Sequence, residues 1–209
     1  MDQPITLPDQ VPVMPLPATV LFPHALLPLH IFEPRYREML EYALRRDRVF
    51  SVALITPQRG DWKTCGDFRA IASVGLIRAC IERSDGTSNL ILQGLRRVRF
   101  RDFAQEHPFP ITTIEPLESE QTDAPELRLL GRKLLAIYKE QKENGRQFPD
   151  KVDRYLSDLA DPEMLGDLMA ATFISDPSRR QQVLEQLALP DRLRLVIEYL
   201  REESGDAAA

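Results

Sequence analysis

Up to about residue 119 the apolar positions come in short runs, several alternating with polar residues. From residue 120 onward they recur every three or four residues. The first pattern has the period of strands and the second that of amphipathic helices. Residues 15–44, PLPATVLFPHALLPLHIFEPRYREMLEYAL, contain both. Proline donates no ladder hydrogen bond, so Pro23 and Pro28 inside an apolar run predict a strand that bends twice, at an edge or a barrel corner. Pro34 then suits the first position of a helix, where its missing N–H leaves no bond unmade. Tyr36, Met39, Leu40, Ala43 and Leu44 fall on one stripe of that helix, with Arg35, Arg37, Glu38, Glu41, Arg45 and Arg46 around the rest.

The remaining pattern extends this picture on both sides. Residues 1–10 read as a loosely attached leader, and 11–16 (VPVMPL) as a short edge strand whose pairing Pro12 and Pro15 limit. A mostly apolar strand follows over 49–55, then a loop over 56–67 that carries the single tryptophan, Trp62. Two β-prone runs, 70–82 and 89–102, flank Asp85-Gly86 and predict a hairpin. Residues 111–117 supply a last strand. Beyond it, helices are expected over 124–143 and 152–159, at Asp161-Pro162 and Asp176-Pro177, and from Pro190, with residues 204–209 fraying. The expectation is an α+β chain, with a β-rich subdomain over 11–119 and a helical one over 120–203.

Composition narrows the function classes. The chain has 209 residues, a formal net charge of −5 and 43% hydrophobic residues, the balance of a folded chain with no global attraction to nucleic acid or anionic lipid. Cys65 and Cys80 lack CxxC spacing and form no disulfide framework, which points to a reducing, cytoplasmic setting. No basic segment leading into an apolar one marks a signal peptide at the N-terminus, and no run reaches the roughly 18 apolar residues that span a bilayer, so a membrane is not expected as a partner.

An ordered set of short motifs now becomes informative. Met14-Pro15-Leu16, Leu21-Phe22-Pro23, Leu27-Pro28-Leu29 and residues 31–36 (IFEPRY) are followed by Val74-Gly75-Leu76-Ile77, Asp85-Gly86 and residues 92–98 (LQGLRRV). Further on come Gln182-Val183-Leu184-Glu185 and Arg192-Leu193. In this order they resemble the N-terminal, substrate-binding domain of Lon proteases over roughly residues 11–203, occurring alone and without that family's ATPase and protease domains. The resemblance implies a PUA-like β pseudo-barrel with one helix, followed by an α-helical bundle. It also implies a non-catalytic module, adaptor-like or stand-alone, that engages exposed hydrophobic or unfolded segments of other proteins, with a separate protease or chaperone as a further partner. One departure stands out, because His24 occupies a position after the LFP proline where stand-alone relatives often carry glycine.

Candidate chemistry is sparse. The nearest approach to a phosphate-binding loop, Gly131-Arg132-Lys133, lacks the upstream glycine and lies in a helical pattern. Three histidines are too scattered for metal-ligand spacing, so no cofactor, metal or catalytic residue is assigned. Cys80 reads as a small buried hydrophobe, and Cys65, in the loop beside Lys63, as an exposed and oxidisable thiol. Leu21, Phe22, Leu26 and Trp62 are the candidate polypeptide-binding residues; core and surface placements are evenly balanced for Trp62, and core is favoured for the others. The alternative is an RNA-binding face of Arg97, Arg99 and Arg101 on one side of a strand, against which stand the net charge and the lack of interleaved aromatics.

Overall fold

The computed structural model describes residues 6–56, 61–120, 124–143, 159 and 161–206. The chain divides into two compact units, Met1–Leu117 and Glu118–Ala209. In the first, six strands run β1 (Gln10–Leu16), β2 (Leu26–Ile31), β3 (Val49–Leu54), β4 (Ile71–Glu82), β5 (Ser88–Gln105) and β6 (Ile111–Pro116), with helix α1 (Pro34–Leu44) between β2 and β3. Their lateral order is β2-β5-β4-β3-β1-β6, and the long β5 also pairs with β6. The pairings therefore close a ring from β5 through β4, β3, β1 and β6 back to β5, which leaves β2 attached to one neighbour only.

Prolines mark where the ring is thin. The first strand is interior, not an edge: residues 13–16 pair in parallel with β3, and residues 10–12 pair antiparallel with β6. Because the strand changes partners half-way, Pro12 and Pro15 each sit in a segment laddered on one side, where a missing donor breaks little. Asp9, just before the strand, is held as well, since its carbonyl accepts from the Ile114 N–H at 3.0 Å. Of the two prolines expected to bend one strand, only Pro28 lies in β2; Pro23 belongs to the turn that precedes it.

That turn is the tightest point in the unit. The Ala25 N–H donates to the Phe22 carbonyl at 3.2 Å, His24 has a left-handed φ of 65°, and the His24 N–H donates to the Gly94 carbonyl at 2.9 Å. In return the Gly94 N–H donates to the Ala25 carbonyl at 2.9 Å. The two backbones approach so closely that a Cβ on residue 94 falls 1.9 Å from the Phe22 carbonyl oxygen. Only glycine fits. His24 meanwhile holds a conformation that L-residues other than glycine adopt at a cost.

The hairpin between β4 and β5 follows its sequence signal. Gly86 has φ 77°, its N–H donates to the Arg83 carbonyl at 3.0 Å, and the Arg83 N–H donates to the Thr87 carbonyl at 2.8 Å. This is a three-residue loop closed by a left-handed glycine. Helix α1 buries Tyr36, Met39, Leu40 and Ala43 against Ile31, Leu90, Leu92 and Ile77 on the inner side of β2, β5 and β4. A second cluster, around Val11, Trp62, Phe68, Val74, Val98 and Phe100, fills the far part of the ring.

In the second unit, helices α2 (Ala124–Glu143), α3 (Pro162–Phe173), α4 (Pro177–Glu185) and α5 (Leu189–Asp206) are described; the helix expected over 152–159 lies outside the described residues but for Leu159. Asp161 and Asp176 cap α3 and α4, accepting from the N–H groups of Glu163 and Ser178 at 2.9 and 2.7 Å. Their following prolines occupy the first helical turn, as the sequence pattern anticipates. The last helix continues to Asp206, past the point where fraying was expected. Its Arg192 is fully buried, with Nη1 at 3.1 Å from Glu163 and 3.4 Å from Asp167, and Nε donating to the Gln186 carbonyl at 2.9 Å. A guanidinium shared among these acceptors ties α3, α5 and the turn before α5 together.

Two stability outcomes follow. Gly94→Ala destabilises the first unit by more than about 2 kcal/mol, because the new methyl meets backbone rather than a movable side chain, while His24→Gly stabilises it by up to about 1 kcal/mol. Urea unfolding followed by fluorescence of Trp62, the single tryptophan, reads that unit alone. In the second unit, Arg192→Met takes the guanidinium away from the buried Asp167 and costs roughly 3–5 kcal/mol, measured as a lowered midpoint in the helical circular-dichroism signal.

Candidate functional site

The inner face of β2, β5 and β4 is closed by α1, so the outer face is what the sheet offers to solvent. In the register, Leu26 pairs with Gln93, Pro28 with Ile91 and His30 with Asn89, while on the other side of β5, Ile91 pairs with Ala79 and Asn89 with Ile81. Side chains alternate between faces along a strand. Leu27, Leu29 and Ile31 therefore turn inward with Leu90, Leu92 and Cys80, and Leu26, Pro28 and His30 turn outward with Ile91, Asn89, Ala79 and Ile81. Leu26 is 63% exposed, Ile81 69%, and Phe32, just past β2, 59%. Large apolar side chains at such exposure on one sheet face make this the candidate contact surface. The rim is polar: Arg78 donates to Gln93, and the His30 and Phe32 rings stack with centroids 5.8 Å apart.

Alongside this face runs the open edge of β2. The Gly94 N–H bond to Ala25 sets the phase of the ladder, whose two-residue period turns the backbone groups of Leu27, Leu29 and Ile31 toward β5. Those of Leu26, Pro28 and His30 point away from it. Pro28 thus sits where its missing N–H breaks no ladder bond, and it also interrupts the edge as a template for another strand.

Three of the four residues expected to bind polypeptide are not on the surface. Leu21 and Phe22 are core residues, and Trp62 is buried at 3% exposure, so only Leu26 belongs to the outer face. The reason for Trp62 is specific. Its Nε1–H donates to the Tyr36 hydroxyl at 3.1 Å, which in turn donates to the Pro15 carbonyl at 2.8 Å. Its ring stacks on His107 at 5.4 Å, and Arg35 covers it at 5.4 Å while bonding Asp61. Trp62 is a lid on the core, not a flag in solvent. Phe32 and Ile81 were missed because a Phe between Ile and Glu, and an Ile at the end of an apolar run, look like core; the strand's alternation was the available signal.

The arginine row also comes apart. Arg97 is buried at 3% exposure, whereas Arg99 and Arg101 are half-exposed and both pair with Glu115 of β6, the former at 3.4 Å. Arg97 and Arg99 keep the expected alternation, paired in register with Ser73 and Ile71, so they share a face although only Arg97 is covered; Arg101 lies past Phe100, where the register with β6 shifts. Gly131-Arg132-Lys133 lies within α2, as its helical pattern implied. Among the described residues no three His, Cys, Asp or Glu side chains gather as metal ligands, and no helix is long and apolar enough to cross a membrane.

Cys65 differs from its expected reactive state. It is half-buried in a short helical turn, and burial, with Glu106 alongside, pushes its thiol up to about 12. Burial likewise pushes the Tyr36 hydroxyl up to about 12. Cys80 is half-buried against the inner cluster.

Comparison with known proteins adds an independent line. The model of the ATP-dependent protease La (LON) substrate-binding domain matches residues 10–202. A Lon protease of Desulfosudis oleivorans is 28% identical over 94% of the chain and 24% of its own length. Lon protease 2 of Herpetosiphon aurantiacus is 32% identical over 93% of the chain and 24% of its own length. The chain thus spans about a quarter of the length of the curated relatives it matches. In fold it is similar to the N-terminal domain of Mycobacterium avium complex Lon protease, with TM-score 0.72 and 17% identity over 92% of this chain and 98% of that one. It is also similar to a Lon N-terminal domain protein from Xanthomonas campestris, with TM-score 0.66 and 23% identity over 91% and 98% of the two chains.

The two raised groups predict how the first unit responds to alkali. Both are held protonated by the fold, from ordinary values of 9.0 for the thiol and 10.0 for the phenol to about 12. Above pH 9 the unfolded chain releases these protons first, so stability contributed below that point is lost as pH rises from about 9 to 12. Urea midpoints read by Trp62 fluorescence should hold steady from pH 7 to 8.5 as far as these groups are concerned and fall beyond it, with Cys65→Ala removing part of the fall.

Proposed function

The chain belongs to the ATP-dependent protease La (LON) substrate-binding domain family, and we infer that it recognises polypeptide substrates on the outer face of β2, β5 and β4. The observation that carries this reading is the exposure of Leu26, Phe32 and Ile81 around Pro28, Ile91 and Ala79, on a sheet whose other side is packed. The segments it fits are exposed hydrophobic or unfolded ones. A folded partner keeps such side chains in its own core, and an unfolded one presents them at about the spacing of the rows. Because Pro28 interrupts the edge, contact is made by side chains on the face more than by a continuous added ladder.

The module acts without catalysis of its own, delivering or holding substrate for a protease or chaperone domain, whether on a separate chain or in an adaptor-like role. The two thiols suit a cytoplasmic setting. The ring of strands and the mutually packed helices fit the PUA-like barrel and helical bundle that the family resemblance implies. The RNA-binding alternative is not favoured, since Arg97 is buried and its two neighbours are committed to Glu115.

The test replaces the three exposed side chains together, Leu26→Ser, Phe32→Ser and Ile81→Ser, and titrates a fluorescein-labelled, permanently unfolded polypeptide by anisotropy. All three are surface positions, so the fold should survive, as circular dichroism will show. Affinity should drop at least about tenfold, equivalent to about 1.4 kcal/mol. Unchanged affinity in the folded triple variant removes this face from the reading.

A further inference from the structure

At one corner of the outer face three side chains are wired together. Asn89 turns its oxygen to Arg83, 3.1 Å from Nε and 3.0 Å from Nη2, and its amide nitrogen lies 2.8 Å from Nδ1 of His30. An arginine can only donate, so the amide oxygen must face it, and the amide NH2 must then face the imidazole. A donor pointed at Nδ1 requires a lone pair there. The proton of the neutral ring is consequently on Nε2, the nitrogen on the far side of the ring from Asn89. Phe32, stacked on the ring at 5.8 Å and 22°, holds its plane. His30 is exposed, and its own backbone N–H and carbonyl point to the open edge of β2, as derived above.

We propose that His30, fixed by Arg83 and Asn89 as the Nε2–H tautomer, is the hydrogen-bond donor that anchors the main chain of the segment held on this face. The proposal rests on the reading of that face as a polypeptide site. The segment it fits is extended and apolar at alternate positions, because the rows alternate in that way, and it lacks basic residues. Among the described residues the charged side chains in and beside these rows are Arg78 and Arg83, both cationic and both tied to neutral amides, Gln93 and Asn89. An apolar surface supplies no register by itself; a directional donor does.

The full chain tests this in two ways. Long-range proton–nitrogen spectra of the histidine rings at pH 8, with His30 identified by its loss in His30→Gln, should show the Nε2–H tautomer; the Nδ1–H tautomer overturns the assignment. Anisotropy at pH 8 with a fluorescein-labelled peptide of alternating Leu and Ser should show His30→Ala binding about tenfold more weakly than the native chain. His30→Gln, whose amide nitrogen donates near the position of Nε2, should bind within about threefold of the native level. Asn89→Asp, which accepts from Nδ1–H and leaves Nε2 of the neutral ring without a proton, should bind as weakly as His30→Ala. Native affinity in His30→Ala overturns the anchor alone, and so does native affinity in Asn89→Asp. No binding of the peptide to any form overturns both the anchor and the face on which it rests.

Discussion

The approach of the Phe22–Ala25 turn to Gly94 sets the geometry on which the first unit depends. Two backbone hydrogen bonds at 2.9 Å cross a gap too narrow for any Cβ on residue 94. That contact starts β2 at a defined phase against β5. Because the ladder repeats every two residues, the phase decides which side chains of β2 face α1 and which face solvent. A slip by one residue would bury Leu26 and His30 and expose Leu27 and Leu29. The strain held at His24 is the other half of the same constraint, since the chain must turn left-handed to meet Gly94. The apolar outer face is thus a consequence of one close backbone contact some distance along the strand.

Several charged side chains among the described residues are committed to partners of their own. Glu115 takes Arg99 and Arg101, Asp61 and Glu33 take Arg35, and in the other unit Arg192 is sunk among Glu163, Asp167 and Ser119. Exposed pairs of this kind add little stability, whereas the buried cluster around Arg192 matters for which helices meet. The cations left at the face, Arg78 and Arg83, are bonded to neutral amides. A surface built in this way discriminates by apolar contact and by a few directed hydrogen bonds, which suits recognition of many unrelated unfolded segments better than recognition of one sequence.

Particular residues show how far the sequence could be read. Pro34 and the stripe from Tyr36 to Ala43 placed α1, Asp161-Pro162 and Asp176-Pro177 placed two helix starts, and Asp85-Gly86 placed the hairpin, since each signal acts within a few residues of itself. The interior position of β1 was not legible: its prolines imply an edge unless the strand changes partners midway, and that exchange involves β3 and β6, some 40 and 100 residues away. Nor was Arg97 legible as buried, because it shares a strand face with the half-exposed Arg99, and only what the rest of the chain lays over that face tells the two apart.

The sequence by itself determined the order and type of most elements, the hairpin at Asp85-Gly86 and, through its ordered motifs, the family. Those are properties of local backbone preference and hydrophobic period, written in contiguous residues. Only the tertiary structure decided that Trp62 is a buried lid while Phe32 and Ile81 are exposed, and that His30 meets Asn89 and Arg83. Burial of an apolar side chain depends on which surface another part of the chain has already covered. Here α1 covers one face of β2, β5 and β4 and leaves the other open.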